Sequence, residues 1–191
     1  MTATKVSDAL VNQPVPDTDY DVDSTESYQR LRKLWASLPR VPKLVDAPSA
    51  PQIFSGAGQS IQLLLKGEES AGALMVAYVS MVPGAQGADD HHQPHEDELW
   101  FALQGEWEWT VGDLKKRVGP GAFAYAPRNT KHAFANVGAT TAIMITINTP
   151  AGHERGFKGA SKLLSEGASM DDLEAHFANH DFIFHSPLPR A

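Results

Sequence analysis

Between about Pro51 and Pro150 the apolar positions fall in short alternating runs: Ile61 to Leu65, Leu74 to Met81, Leu99 to Leu103, Trp107 to Val111, Ala122 to Ala126, Ala133 to Asn136 and Ala142 to Asn148. A period of two over so few residues is the signature of half-buried strands. Gly67, Gly84, Gly87, Gly105, Gly112, Gly119-Pro120-Gly121, Asn129 and Gly138 separate the runs, a spacing that predicts an all-β sandwich or closed barrel rather than βαβ units. On either side the period changes. Tyr28, Leu31, Leu34, Trp35 and Leu38 form a helical stripe, with Arg30, Arg32 and Lys33 off it, and Pro39 and Pro42 end it. After Pro150 a helix is expected over Phe157 to Leu164. A second follows, with Ser169 as N-cap and Asp171 and Asp172 in its first turn. Phe182-Ile183-Phe184 reads as a short strand or strap over the barrel. The chain therefore divides into an acidic mobile arm (1–26), a helix and linker (27–50), a β domain (51–150) and C-terminal helices with a tail packed on it (151–191).

Charge and composition narrow the chemistry. The 191 residues carry a formal net charge of −7, which argues against nucleic acid or an anionic membrane as partner, since both reward clustered Lys and Arg. No apolar run approaches the roughly 20 residues of a membrane helix, and Met1 to Asp8 lack the apolar stretch of a secretory signal, so a cytoplasmic location is expected. With no cysteine in the chain, any metal must be held by nitrogen and oxygen.

Such donors are present in two places. His91-His92-Gln93-Pro94-His95-Glu96-Asp97-Glu98 runs on to Gly105, and Gly121 to Asn136 surrounds His132. Imidazole and carboxylate drawn from separate strands suit one divalent transition metal, Fe, Mn, Ni, Co or Zn. With a period of two, His91 and Gln93 face one way and His92 the other. After a turn over Pro94 to Asp97, Glu98 opens a strand with Trp100 and Ala102 on its face. Leu99, Phe101 and Leu103 make a second apolar row behind it, which calls for a cover from the terminal helices or from a second subunit.

These residues carry a family resemblance. His91, Glu98 and Gly105 resemble the first motif of the cupin superfamily, Gly-x5-His-x-His-x3-4-Glu-x6-Gly. Gly121, Pro127, Asn129, His132 and Asn136 resemble its second, Gly-x5-Pro-x-Gly-x2-His-x3-Asn. The similarity covers roughly residues 55 to 150. It implies a cupin double-stranded β-helix, a jelly-roll barrel, with N- and C-terminal helical extensions. Three positions depart from it: Gln93 stands where the second histidine belongs, Asn129 where a glycine does, and Gly84 lies one residue early. The implied metal set is His91, Gln93, Glu98 and His132, with His92 or His95 as substitutes for the weak amide donor.

The run Glu96 to Glu106 is also similar to small single-domain quercetin-dioxygenase-like cupins. That implies a metal-dependent dioxygenase cleaving a phenolic or enolisable substrate with dioxygen, and a homodimer. Glu98 would be the catalytic base, its pKa raised by burial in an apolar barrel. Trp100 and Phe134, two residues from Glu98 and His132, would line the cavity, and Tyr125 and Tyr78 would touch substrate. A lyase, isomerase or cyclase using the same metal, with Tyr78 or Tyr125 as the extra base, and a metal-free binding module are the alternatives. By default His92 and His95 are solvated loop residues, and His153, His176, His180 and His185 lie on the surface.

Overall fold

The computed structural model describes Arg30 and residues 33–87 and 90–185. The predicted acidic arm lies outside them, as do Tyr28 and Leu31 of the first helix. Residues 33–36 are helical, and Trp35 of that turn is buried. Its indole lies on Gly67, where an added Cβ would come within 2.5 Å of the ring, so only a residue without a side chain fits beneath it.

Two antiparallel sheets form the body. The first holds six strands in the order β1 (Gln52–Gly56), β2 (Gln59–Leu65), β3 (Met75–Met81), β10 (Ala142–Thr149), β5 (Asp97–Gln104) and β8 (Phe123–Ala126). The second runs β11 (Ile183–Phe184), β4 (His91–His92), β9 (His132–Asn136), β6 (Trp107–Val111) and β7 (Leu114–Val118). The alternation seen in the sequence sets the inward faces. Met75, Ala77, Val79 and Met81 of β3 are buried while Val76, Tyr78 and Ser80 point outward. Each fully buried Met or Val contributes about 1.5–3 kcal/mol. Met144, Trp100, Trp107, Trp109 and Phe134 complete the core between the sheets.

Strand β7 escapes the hydrophobic pattern, because four of its five residues, Leu114 to Arg117, are exposed. Register with β6 defines it instead, Val111 opposite Leu114 and Trp109 opposite Lys116, across a turn at Gly112. Strand β1 was likewise invisible to the pattern. Of the two covers expected for the outward row of β5, the terminal helices or a second subunit, the helices leave Phe101 and Leu103 open. Phe101 and Leu103 are exposed, as are Phe123 and Tyr125 on neighbouring β8.

The helices sit elsewhere. α1 (His153–Ser165) packs on β1 through Phe157 and Phe54, ring centroids 5.5 Å apart. Glu154 anchors its start, accepting hydrogen bonds from the backbone N–H of Gly67 at 2.7 Å and of Gly152 at 3.0 Å. α2 (Met170–Ala178) opens on the predicted Ser169, in a reciprocal capping box with Asp172. Leu173, Phe177, Phe182 and Ala160 form a second small core. The predicted strap is β11, whose Phe184 pairs with His91 and Ile183 with His92.

Candidate metal centre

His91 on β4 and His132 on β9 face each other across a strand pair, ring centroids 4.4 Å apart. Glu98 reaches toward them from β5 in the opposing sheet. One ligand atom from each of the three lies within 4.8 Å of the others, and all three residues are buried. The centre thus bridges the two sheets, which places it at the strand register rather than on any mobile loop.

The surroundings fix each donor. His132 Nδ1 lies 2.8 Å from the carbonyl of Thr130. A carbonyl only accepts, so Nδ1 carries the proton and Nε2 is left to act at the centre. That Nε2 is 3.2 Å from Glu98 Oε2. Glu98 Oε1 accepts from Trp100 Nε1 and from Thr146 Oγ1, both at 2.8 Å, and Oε2 accepts from Gln93 Nε2 at 3.3 Å. Burial on its own pushes the Glu98 carboxyl up. The His132 bond and the nearby His153, His132 and His91 imidazoles outweigh it and hold the group well below the usual carboxylate range. The expectation of a raised pKa at Glu98 is therefore corrected: the surrounding imidazoles keep it an anion, which suits a metal ligand.

Two imidazoles and a carboxylate form a donor set that fits a divalent transition metal. Gln93 Oε1 adds to the fit: it is buried and has no hydrogen-bond partner among the described residues. Gln93 thus stands beside the donors with Nε2 engaged by Glu98 and its neutral Oε1 left over. His92 and His95 are engaged elsewhere. His92 Nδ1 meets His185 Nε2 at 2.9 Å, and His95 Nδ1 lies 2.6 Å from Asp181 Oδ1.

The centre opens on a cavity of about 670 Å³. Phe54, Phe134, Phe157, Phe177, Phe182 and Phe184 supply much of its wall, and His91, Glu98, Thr146 and His153 are among its polar residues. Of the four expected substrate contacts only Phe134 lines it. Trp100 is buried behind Glu98 and braces the carboxylate instead. Tyr78 points out of β3, and Tyr125 is exposed on the outer face of β8. Both tyrosines are corrected to positions outside the site, because the strand period that buries Val79 and Ala126 turns their neighbours outward.

His153 was expected on the surface and is 3% exposed. Its Nδ1 lies 3.2 Å from Oε2 of Glu96, itself buried. Burial pushes Glu96 up to about 7 against the pull of His153. For His153 burial acts downward, and Glu96, with Glu98 and Glu154 beyond it, reverses this and raises the imidazole. The pair thus works in opposite senses, Glu96 tightening the hold of His153 on its proton and His153 loosening that of Glu96. His176 and His180 are half-buried, each bonded to a backbone carbonyl, and His185 is exposed. Glu96, Thr146, His153 and Phe182 escaped the sequence reading. Thr146 had a signal, a hydroxyl in the inward series Ala142, Met144, Thr146 and Asn148. His153 had none, since only the docking of α1 brings it to the cavity.

Residues 77–148 match the family described as Cupin domain. These residues form a cupin domain. A curated relative, an uncharacterized protein of Streptomyces coelicolor, is 28% identical over 65 residues, 34% of this chain and 62% of its own length. The chain therefore spans about 62% of the curated relative it matches. Among solved structures, KdgF from Halomonas sp. superposes with a TM-score of 0.51 at 20% identity, over 58% of this chain and 94% of that one. A cupin-superfamily sugar phosphate isomerase from Silicibacter pomeroyi gives 0.50 at 22% identity, over 58% and 77%. The likeness is one of fold. No helix among the described residues is long and apolar enough to cross a membrane.

Proposed function

We propose that this cupin is a metal-dependent enzyme of the dioxygenase type acting on a small phenolic or enolisable molecule. One observation carries the reading: an aromatic-walled cavity of about 670 Å³ is lined by His91 and Glu98, two members of the buried donor group His91, Glu98 and His132. That volume falls in the range of small-molecule sites, about 300–1,000 Å³. His91, Glu98 and His132, with Gln93 beside them, would hold one divalent transition metal. Such an ion supplies Lewis acidity toward a substrate oxygen and, where redox-active, access to dioxygen chemistry. The chain's own residues do the rest. Thr146, Trp100 and Gln93 aim Glu98 by hydrogen bonds, the Thr130 carbonyl fixes the tautomer of His132, and Phe134 and Phe182 supply apolar wall that excludes water.

Pairing of two chains through the outer face of β5 and β8 belongs to the same reading, supported by the exposed Phe101, Leu103, Phe123 and Tyr125. Light scattering that returns the monomer mass would remove it.

The test is elemental analysis of the purified protein and of His132→Ala, followed by oxygen uptake with flavonols and catechols. Near-stoichiometric metal lost in the variant, and oxygen consumption started by substrate, are expected. Turnover under nitrogen without oxygen uptake would reassign the site to a lyase or isomerase. Absence of metal from the wild type would leave a binding module.

A further inference from the structure

The donors sit at one end of a long cavity, and α1 gives its length. His153 and Leu164 both line it. They lie eleven residues apart on that one helix, about 16 Å at 1.5 Å per residue and close to three full turns, so the two share a face. His153 marks the donor end, because Phe182 packs on it at 4.2 Å and stacks on His91 at 5.8 Å. There the lining residues His91, Glu98 and Thr146 are buried. At the other end Leu164 and Ser169, at the junction of α1 and α2, are exposed, as is Ala57 in the turn between β1 and β2. These two places adjoin, since a Cβ added at Gly56 would lie 3.4 Å from Leu164 Cδ1. The cavity therefore runs from buried donors to an open rim, past the apolar side chains of Phe54, Phe157, Leu173 and Phe177.

Charge sets what can lie along that run. Among the described residues lining the cavity none is Lys or Arg. Away from the donors its carboxylate is Asp171, exposed in the first turn of α2. A phosphate or carboxylate on the body of a substrate would give up its water there without meeting a Lys or Arg, whereas a hydrocarbon chain in the same place is stabilised in proportion to the area it buries. We propose that the substrate is an amphiphile, a phenol or enol head at the donors joined to an uncharged hydrocarbon arm that runs along α1 to the rim at Leu164. The proposal rests on the cavity being the substrate site, as argued above, and specifies which members of the phenolic and enolic class it takes. It divides the labour between the two parts of the chain: the β domain supplies the donors, and α1 and α2 supply Phe157, Leu173 and Phe177 as wall for the arm. Sugar phosphates and phenolic acids are ruled out as substrates.

The test is equilibrium dialysis of para-alkylphenols, from methyl to octyl, against the full-length protein, both chelator-treated and loaded with metal. Affinity should rise about fourfold per methylene until the chain reaches the rim, and then level off. In chelator-treated protein, where no ion can reward a carboxylate, para-propylphenol should bind about a hundredfold more tightly than para-hydroxyphenylpropanoate. Leu164→Asp, with its far-ultraviolet circular dichroism kept, should bind para-octylphenol about tenfold more weakly than wild type, the worth of nearly two methylenes, and the gap should close as the chain shortens. No binding by any member, an affinity independent of chain length, equal binding of the propyl and propanoate probes, or an unaltered octyl affinity in folded Leu164→Asp would each overturn the proposal. Equal binding of alkylbenzenes that lack the hydroxyl would overturn it in favour of a plain lipid site. A flat series beside oxygen uptake with catechols in loaded protein would overturn the arm and leave the metal enzyme standing. The full gain with chain length in a protein that holds no metal and consumes no oxygen would uphold the arm and remove the dioxygenase reading.

Discussion

Replacing Glu96 by glutamine tests the buried pair through stability alone. In the folded protein Glu96 is pushed up to about 7 from an ordinary value of 4.5. Between those values the folded chain keeps a proton that the unfolded chain has released. Stability therefore falls as pH rises through this window. At about 1.4 kcal/mol per unit, the loss between pH 5 and pH 8 amounts to about 3 kcal/mol. His153 adds to it with the same sign: its raised pKa gives stability present at low pH and lost as pH rises through the folded value. Glu98 acts in the opposite sense, but its depressed pKa matters only below the unfolded carboxylate range, outside the window. Glu96→Gln keeps the shape and removes the ionisation, and it removes the main partner that raises His153. Urea unfolding with chelator present should show wild type losing about 3 kcal/mol from pH 5 to pH 8, equivalent to roughly 6–12 °C in Tm for a chain of this size. Over the same range Glu96→Gln should change by under about 1 kcal/mol. Parallel profiles for the two proteins, or a wild type more stable at pH 8 than at pH 5, would refute the reasoning.

Other substitutions address the two sheets. Thr146→Val removes the hydroxyl that donates to Glu98 at 2.8 Å with little change of volume. Its expected loss at neutral pH is about 1.5–3 kcal/mol, the worth of a hydrogen bond to a charged group, measured by urea unfolding; a change under about 0.5 kcal/mol would mean that Thr146 does not hold the carboxylate. Gly105→Ala places a side chain at φ +80° with its Cβ 2.6 Å from the Ala142 Cα. Because the obstacle is backbone, the expected loss is about 2 kcal/mol or more, and an unchanged Tm would contradict the turn geometry.

Several strands lay open in the sequence because period-two burial writes itself into side-chain choice. Met75 to Met81 and Trp107 to Val111 are legible one residue at a time, whereas β7 could not be seen, since a strand of Lys and Arg is defined by its partner and not by its composition. The Ser169 cap was equally local, a hydroxyl and a carboxylate three residues apart. Among the donors, His91, Glu98 and His132 stood out through their spacing, and the structure brings them within reach of one another. Trp100, Tyr78 and Tyr125 were misplaced for one shared reason: proximity along a strand says nothing about whether a ring faces the cavity, packs behind a ligand or points outward.

The sequence by itself determined the all-β body, the strand faces and the donor types, because each depends on neighbours within a few residues. Only the tertiary structure decided the electrostatics and the far wall of the site. Glu98 is held as an anion because His132, His91 and His153 gather round it from β9, β4 and α1 and outweigh its burial. His153 enters the cavity because α1 folds back over β1, and Glu96, next to two other acids in the chain, is the one that burial leaves near neutral pH. Burial and convergence are sums over contacts distant in sequence, and no local pattern encodes them.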